Sequence, residues 1–199
     1  RRSYKGHMAN VRQLRRRIRS VQNTAKVTRA MQMIAASKTR RAQDRVAAAR
    51  PYASKIREVI AGLASMSSGD DGVHPLLERR PVRRSLIVHI TPDRGLAGGL
   101  PANMNRASAQ RVLRAENPVV VITIGRKGRD FFTRTGAEVI ADYSGMSDRP
   151  TVADCSPIVH QVDQMYRAGE VDEVHLAYTH FVNTLIQEPV VGQLLPVDP

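Results

Sequence analysis

The apolar residues between positions 11 and 66 recur with the seven-residue period of a coiled coil. With Val11 at the first core position, thirteen of the sixteen a and d positions hold Ala, Val, Ile or Leu, and none of the 14 Lys and Arg residues in 9–66 falls on them. This pattern predicts a coiled-coil helix over residues 8–66, roughly 85 Å long at 1.5 Å per residue. Its expected seam is formed by Leu14, Ile18, Val21, Ala25, Ala35, Ala42 and Ala49.

Pro51 is the main exception within this pattern. A proline inside a helix loses one backbone hydrogen bond and clashes with the preceding turn, so two helices that meet near Arg50 are an alternative. The heptad phase nevertheless continues without interruption from Ala53 to Leu63, and Pro51 takes an outer f position. We therefore favour one bent helix over two helices.

A stretch rich in Gly, Ser and Asp at 65–72 ends the heptads, and we assign a linker to residues 67–80. Short apolar runs then alternate with helical patterns. Strands are expected at 85–91, 118–124, 138–143, 174–181 and 189–195, and helices at 101–116, 127–135 and 151–168. Thr151 and Asp154 have the spacing of a capping box. The fold class is therefore α/β, a long N-terminal helix followed by a Rossmann-like domain at 81–199 with a mostly parallel sheet.

The charge of the chain is concentrated in the predicted helix. The net charge is +13, and residues 9–66 hold 14 Lys and Arg against only Asp44 and Glu58, whereas residues 67–199 hold 14 basic against 16 acidic residues. Such an asymmetry indicates an acidic partner for the helix. We interpret residues 1–7 as an artificial leader, with Met8 as the natural start.

The predicted helix also carries apolar residues outside its seam, namely Met31, Met33 and Ile34. Two interpretations remain open. Another helix or domain could cover these side chains, or they could form a contact surface for a surrounding partner, to which flexible thioethers are suited.

The glycine-rich segment 93–100 is the strongest candidate for nucleotide chemistry, because it joins a predicted strand to a helix. Its spacing matches neither of the two common phosphate-binding motifs, and no acidic residue ends the second strand to hold a ribose. We therefore assign Gly95, Gly98 and Gly99 to a tight structural turn. The six histidines show no metal-ligand spacing, and Cys155, the single cysteine, excludes an internal disulfide. We expect no catalytic, cofactor-binding or metal site.

Several segments closely resemble the ATP synthase gamma chain family. The sequence SVQNTAKVTRAMQM at 20–33, with AASK at 35–38 and ARPYA at 49–53, is similar to the family's N-terminal helix. DRGLAGGL at 93–100, IGRKGRDFF at 124–132, and FVNTL with QLLP at 181–185 and 193–196 agree as well. Ala97 stands where the family usually has cysteine. The helix resembles the bacterial type, and one cysteine cannot supply the redox pair of the chloroplast type.

The resemblance implies a non-catalytic subunit, the central rotor shaft of a proton-translocating rotary ATP synthase. One copy per complex would turn inside a ring of alpha and beta chains and couple proton flow to ATP synthesis. The α/β domain would lie at the foot, against the epsilon chain and the membrane c-ring, on the cytoplasmic face of the bacterial membrane. Arg29 and Met31 match the bearing segment of the family, and we add Met33 and Ile34 to the expected partner-contact residues.

The resemblance is incomplete at one end, because the family's C-terminal helix is absent after Pro199. We therefore expect a fragment of a longer protein. The alternative function is a basic coiled-coil adaptor that binds nucleic acid or an acidic protein. Tyr52 is the only aromatic residue in 9–66, which disfavours nucleic acid because base stacking requires more aromatic side chains. We expect neither a nucleic-acid partner nor a cofactor.

Overall fold

A computed structural model of the chain describes residues 11–66, 74–147 and 149–197, except for the side chains of residues 57 and 63–66. The chain divides into two compact units, Arg1–Val59 and Ile60–Pro199. The expected leader at 1–7 and residues 67–73 of the predicted linker lie outside the described residues. Each unit is described by itself below.

The described residues of the first unit form one long helix, α1, which spans Val11–Met66 and so extends into the second unit. It continues through Pro51, which confirms the prediction of one helix rather than two. Two threonine hydroxyls within it donate to backbone carbonyls one turn earlier, Thr24 Oγ1 to Ser20 O at 3.0 Å and Thr28 Oγ1 to Thr24 O at 2.9 Å. The helix therefore satisfies these hydroxyls internally.

The second unit is built on a five-stranded sheet in the order β3-β2-β1-β4-β5. The strands are β1 Ser85–Ile90, β2 Val119–Ile124, β3 Glu138–Asp142, β4 Glu173–Phe181 and β5 Gln187–Leu195. The first four run parallel, and β5 pairs antiparallel with β4. The helices are α2 Leu100–Arg114, α3 Arg126–Thr135 and α4 Val152–Arg167. A 3₁₀ turn at Pro75–Leu77 precedes β1. The predicted Rossmann-like sheet is confirmed.

The alternation of side chains along β1 divides the core into two layers. Leu86 and Val88 face α4, where they join Ile158, Val162 and Tyr166. Ile87 faces the opposite side and packs with Met104 of α2 and Ala177 of β4. Helices thus cover both faces of the sheet, as parallel strands require.

The first turn of α4 confirms the predicted capping box. Thr151 Oγ1 accepts from Asp154 N at 3.3 Å, and Asp154 Oδ2 accepts from Thr151 N at 2.7 Å. Two of the free N–H groups at this helix start are therefore satisfied by side chains.

Candidate partner-binding surface and the closed strand edge

The predicted seam of α1 is exposed in the chain. The large seam residues Leu14, Ile18 and Val21 have relative exposures of 44%, 56% and 68%. The four seam alanines are also exposed: Ala25, Ala35, Ala42 and Ala49. Exposed apolar side chains at regular heptad spacing form a surface that a second helix would bury.

The expected partner-contact residues of α1 are exposed as well, and they point in different directions. At roughly 100° per residue, Met31 and Met33 lie about 200° apart around the helix axis. The four residues are spread around the part of the helix circumference that the seam leaves free, in the angular order Arg29, Met33, Ile34 and Met31. Their relative exposures are 56% for Met31, 65% for Met33 and 59% for Ile34. A single flat partner surface could not contact all four side chains.

Val27 was not among the expected partner-contact residues, although it lies on the same side of α1 as Met31 and Ile34. Val27, Ala30, Met31 and Ile34 have the spacing i, i+3, i+4, i+7 of a helical apolar stripe, separate from the seam. Val27 has a relative exposure of 59%, equal to that of Ile34. The spacing was visible in the sequence, but the seam pattern accounted for most apolar residues and concealed it.

The positive charge of α1 is largely unneutralised within the helix. Two acidic residues can neutralise at most two of the 14 positive charges in 9–66. One such pair joins Lys55 Nζ and Glu58 Oε2 at 2.5 Å, between two exposed side chains. The exposed cations therefore suit an acidic partner surface, and their attraction to it would weaken with salt.

In the second unit, the glycine-rich segment forms the turn between β1 and α2. Gly98 has φ +58°, in the left-handed region that favours glycine, and Gly99 is the N-cap of α2. Gly95, with open space around it, lies in the same turn. Leu96 also adopts a positive φ of +63° and is 98% exposed, a feature that sequence reasoning did not find. All three glycines lie between β1 and α2, and their assignment to a purely structural turn stays a prediction.

The N-terminus of α3 is capped by the residues that follow β1. Arg126 N donates to Asp93 Oδ1 at 3.0 Å, Lys127 N to Pro92 O at 3.3 Å, and Gly128 N to Thr91 Oγ1 at 2.7 Å. Free N–H groups at a helix N-terminus are a common phosphate-binding element. Here three consecutive N–H groups are satisfied by three consecutive residues of the chain.

The start of α2 has fewer free N–H groups than an ordinary helix start. Leu100 N donates to Ala97 O at 3.3 Å, and the next residue, Pro101, has no N–H group. Contacts within the chain therefore satisfy the first three N–H groups of α3, one N–H group at the start of α2 and two at the start of α4.

His89 ties the sheet to the two helices of one face. Its ring is fully buried, with Nε2 at 2.8 Å from Asn105 Oδ1 and Nδ1 at 2.9 Å from Ser108 Oγ. Because Asn105 Oδ1 can only accept, Nε2 carries the proton and Nδ1 accepts from Ser108. Burial lowers the pKa of His89 below its ordinary value, although the hydrogen bond to Asn105 acts in the opposite direction. The ring also meets Phe132 edge to face, with centroids 5.0 Å apart.

A second buried network joins the segment before β1 to the turn between α4 and β4. Arg80 Nε lies 2.6 Å from Asp172 Oδ1, and the guanidinium stacks over the Tyr166 ring at 4.6 Å. Asp172 Oδ2 also accepts from Arg83 N and Arg84 N. Burial alone would raise the pKa of Asp172, but these hydrogen bonds and Arg80 outweigh it and lower the pKa. Arg80 Nη2 also donates to Tyr166 O at 2.5 Å and to Val171 O at 2.6 Å, so this network ties the segment before β1 to the α4–β4 turn.

No group of three or more His, Cys, Asp or Glu side chains within the described ranges is arranged to hold a metal ion. Over the same residues, none of the helices is both long and apolar enough to cross a membrane. Cys155 lies in the first turns of α4, as predicted, and is partly buried.

Comparison with known proteins gives concordant matches over nearly the whole chain. The sequence model of the ATP synthase family matches residues 10–199. The ATP synthase gamma chain of Dehalococcoides mccartyi is 50% identical over 192 residues, which cover 96% of this chain and 67% of that relative. The gamma chain of Desulfitobacterium hafniense is 44% identical over 191 residues, with the same coverage.

A solved structure shares the fold. It is a chain from the cryo-EM structure of the central stalk and c-ring of Tetrahymena thermophila mitochondrial ATP synthase, with a TM-score of 0.68 and 22% identity. The match covers 85% of this chain and 72% of that chain. The gamma chain is a non-catalytic subunit of ATP synthase. On its sequence, over 96% of its length, this chain belongs to the ATP synthase gamma chain family.

Proposed function

We propose that this chain is the central rotor shaft of a rotary ATP synthase and transmits proton-driven rotation to the catalytic subunits. The observation that carries the proposal is the distribution of exposed residues on α1. One side of the helix presents an apolar seam, and the expected contact residues occupy the rest of the circumference. A second helix on the seam and an encircling partner around the remaining surface account for both features.

In this proposal, a second helix packs on the seam of α1, and the relatives are long enough to supply one. The chain covers 67% of the length of the Dehalococcoides relative, so about a third of that protein has no counterpart here. Within the second unit, the entering and leaving segments lie side by side, since Val197 N donates to Leu76 O at 3.0 Å. A chain that leaves the domain at this point emerges next to the point where it entered.

The encircling partners in this proposal are the alpha and beta chains. Their surfaces around the shaft would have to be acidic, because α1 has 12 more basic than acidic residues in 9–66. The α/β domain would contact the epsilon chain and the c-ring at the foot, with one copy of the shaft per complex. The assembly would lie at the cytoplasmic face of the bacterial membrane.

The shaft itself hydrolyses no ATP in this proposal. The first three N–H groups of α3, at the carboxyl end of β2, are all satisfied by contacts within the chain. The purified chain should therefore show no ATP turnover. Activity that persists after removal of contaminating ATPase would contradict the proposal.

The decisive experiment adds one positive charge at opposite sides of α1. Met31→Lys and Met33→Lys are each incorporated into the complete complex, and ATP hydrolysis and proton pumping are measured on the same vesicles. A lysine that faces an acidic surface of the surrounding chains would bind more tightly in one rotary position than in the others. Each 1.4 kcal/mol of extra binding slows rotation out of that position about tenfold. Proton pumping per ATP hydrolysed should fall for both variants.

Tyr52→Lys is the matched control, because Tyr52 is 73% exposed and lies roughly 30 Å from Met31 along the helix. It should leave the ratio of pumping to hydrolysis unchanged. A loss confined to Met31→Lys would indicate a partner on one side only, and unchanged ratios in both methionine variants would refute the bearing assignment. The adaptor that binds nucleic acid has no support in the family assignment.

A further inference from the structure

Asp93 lies where three loops of the second unit meet. It belongs to the β1–α2 loop, and its carboxylate reaches the β2–α3 loop and the β3–α4 loop. Asp93 Oδ1 accepts from Arg126 N at 3.0 Å and from Gly145 N at 3.1 Å, and Oδ2 accepts from Gly145 N at 3.0 Å. The residues that it joins are 33 and 52 positions further along the chain.

The surroundings of this carboxylate are those of a bound anion. It stands on the N-terminus of α3, where the helix dipole favours negative charge. Arg126 Nε lies 3.6 Å from Oδ1, and the Asp93 side chain is only 18% exposed. Burial alone would raise the pKa of Asp93, but the two backbone donors and the Arg126 guanidinium outweigh it and lower the pKa. The carboxylate is therefore held in its charged form.

The space next to Asp93 is positively charged. A cavity of about 710 Å³ opens here, and Arg94, Arg126 and Arg149 line it together with Ser147. It lies at the carboxyl ends of β1 and β2, the edge at which open α/β sheets bind their ligands. Among the described residues that line the cavity, Asp93 is the acidic one, and it accepts from the backbone N–H groups of Arg126 and Gly145.

We propose that Asp93 is an internal anion, which takes the position of a phosphate at this edge and closes it to phosphate-bearing ligands. The same contacts tie the three loops together. This inference goes beyond the shaft function, because it gives a physical reason why ATP would not bind at this edge of a nucleotide-type fold. It is tested on the full chain alone, so its outcome does not depend on the rotor proposal.

The first test replaces the carboxylate by a methyl group, Asp93→Ala, and uses inorganic phosphate as the probe. Melting temperatures are compared in about 20 mM phosphate and in chloride of the same ionic strength. The wild-type chain should melt at the same temperature in both. Asp93→Ala should melt lower than the wild type in chloride and regain several degrees in phosphate, because the vacated donors then bind the ion.

Asp163→Ala is the matched control, since Asp163 pairs with Arg167 on α4, away from this edge. It should show no specific response to phosphate. The proposal is overturned if the wild type responds to phosphate as strongly as Asp93→Ala, or if folded Asp93→Ala does not respond.

If Asp93→Ala does not fold, Asp93→Asn decides the question. It keeps the shape and one acceptor oxygen but loses the charge, and hydrogen exchange is followed at the amides of Arg126 and Gly145. We expect exchange at both amides to be at least about tenfold faster than in the wild type, which corresponds to about 1.4 kcal/mol of local opening. Unchanged exchange at both amides would refute the role of the charge.

Discussion

Gly125→Ala tests the close approach between the end of β1 and the start of α3. A Cβ built at Gly125 would stand 1.9 Å from Thr91 O and 2.8 Å from Thr91 C. Both are backbone atoms, so no side chain can move away to make room. Gly125 also has φ +100°, a backbone conformation that residues with a Cβ rarely adopt. The substitution therefore combines backbone strain with a steric clash.

The cost of the clash can be separated from the cost of the strain by comparison with Gly136→Ala. Gly136 ends α3 at φ +73°, and a Cβ there would meet nothing within 4 Å. Gly136→Ala should therefore cost only the left-handed strain, about 1–2 kcal/mol. Gly125→Ala adds displacement of Thr91, whose N donates to Ile124 O at 2.8 Å and whose Oγ1 accepts from Gly128 N at 2.7 Å. We expect a total cost of about 4 kcal/mol or more.

The assay is urea unfolding of the full chain, followed by near-ultraviolet circular dichroism. The chain has no tryptophan, and the domain contains the tyrosines Tyr143, Tyr166 and Tyr178, so this signal reports tertiary packing of the second unit. Gly125→Ala should be less stable than Gly136→Ala by at least about 2 kcal/mol, with a melting temperature lower by roughly 4–8 °C. Equal stability of the two variants would show that the loop relaxes without cost and would refute the reasoning.

Three further predictions concern the core and the seam. Because burial lowers the pKa of His89 in the folded state, the unfolded chain binds the proton more readily. The free energy of unfolding should therefore have its full value above about pH 6.5 and decrease at lower pH. This one proton can lower it by at most about 1.4 kcal/mol per pH unit. Melting temperatures between about pH 7.5 and 5.5 should show a shallower slope for His89→Gln than for the wild type, and equal slopes would exclude His89 as the titrating group. Asp172→Asn should cost about 3–5 kcal/mol in urea unfolding because Arg80 is left without its buried carboxylate, whereas Asp163→Asn, at a half-buried ion pair, should cost less than about 1 kcal/mol. Ala35→Trp should destabilise the assembled complex by about 1–3 kcal/mol or uncouple it, and unchanged melting and coupling would reject the assigned heptad register.

The sequence by itself determined the elements that depend on local periodicity. The heptads predicted α1 through Pro51, because eight repeats in one phase outweigh one missing backbone hydrogen bond. Alternating apolar runs predicted all five strands and the three helices of the domain, to within a few residues at their ends. The capping box of Thr151 and Asp154 could also be predicted from the sequence, because its two partners are only three residues apart.

Tertiary structure alone decided the contacts between elements that are distant in sequence. The pairing of Asp93 with Arg126 and Gly145, the contacts of His89 with Asn105 and Ser108, and the close approach of Gly125 to Thr91 all depend on which strands are neighbours. No local pattern records the order β3-β2-β1-β4-β5, because a strand's side-chain period is the same wherever the strand lies in a sheet. At the carboxyl ends of β1 and β2, the sequence therefore showed only a glycine-rich turn whose spacing matches no phosphate-binding motif. The contacts of Thr91, Pro92 and Asp93 with the N-terminus of α3 could be seen only in the folded chain.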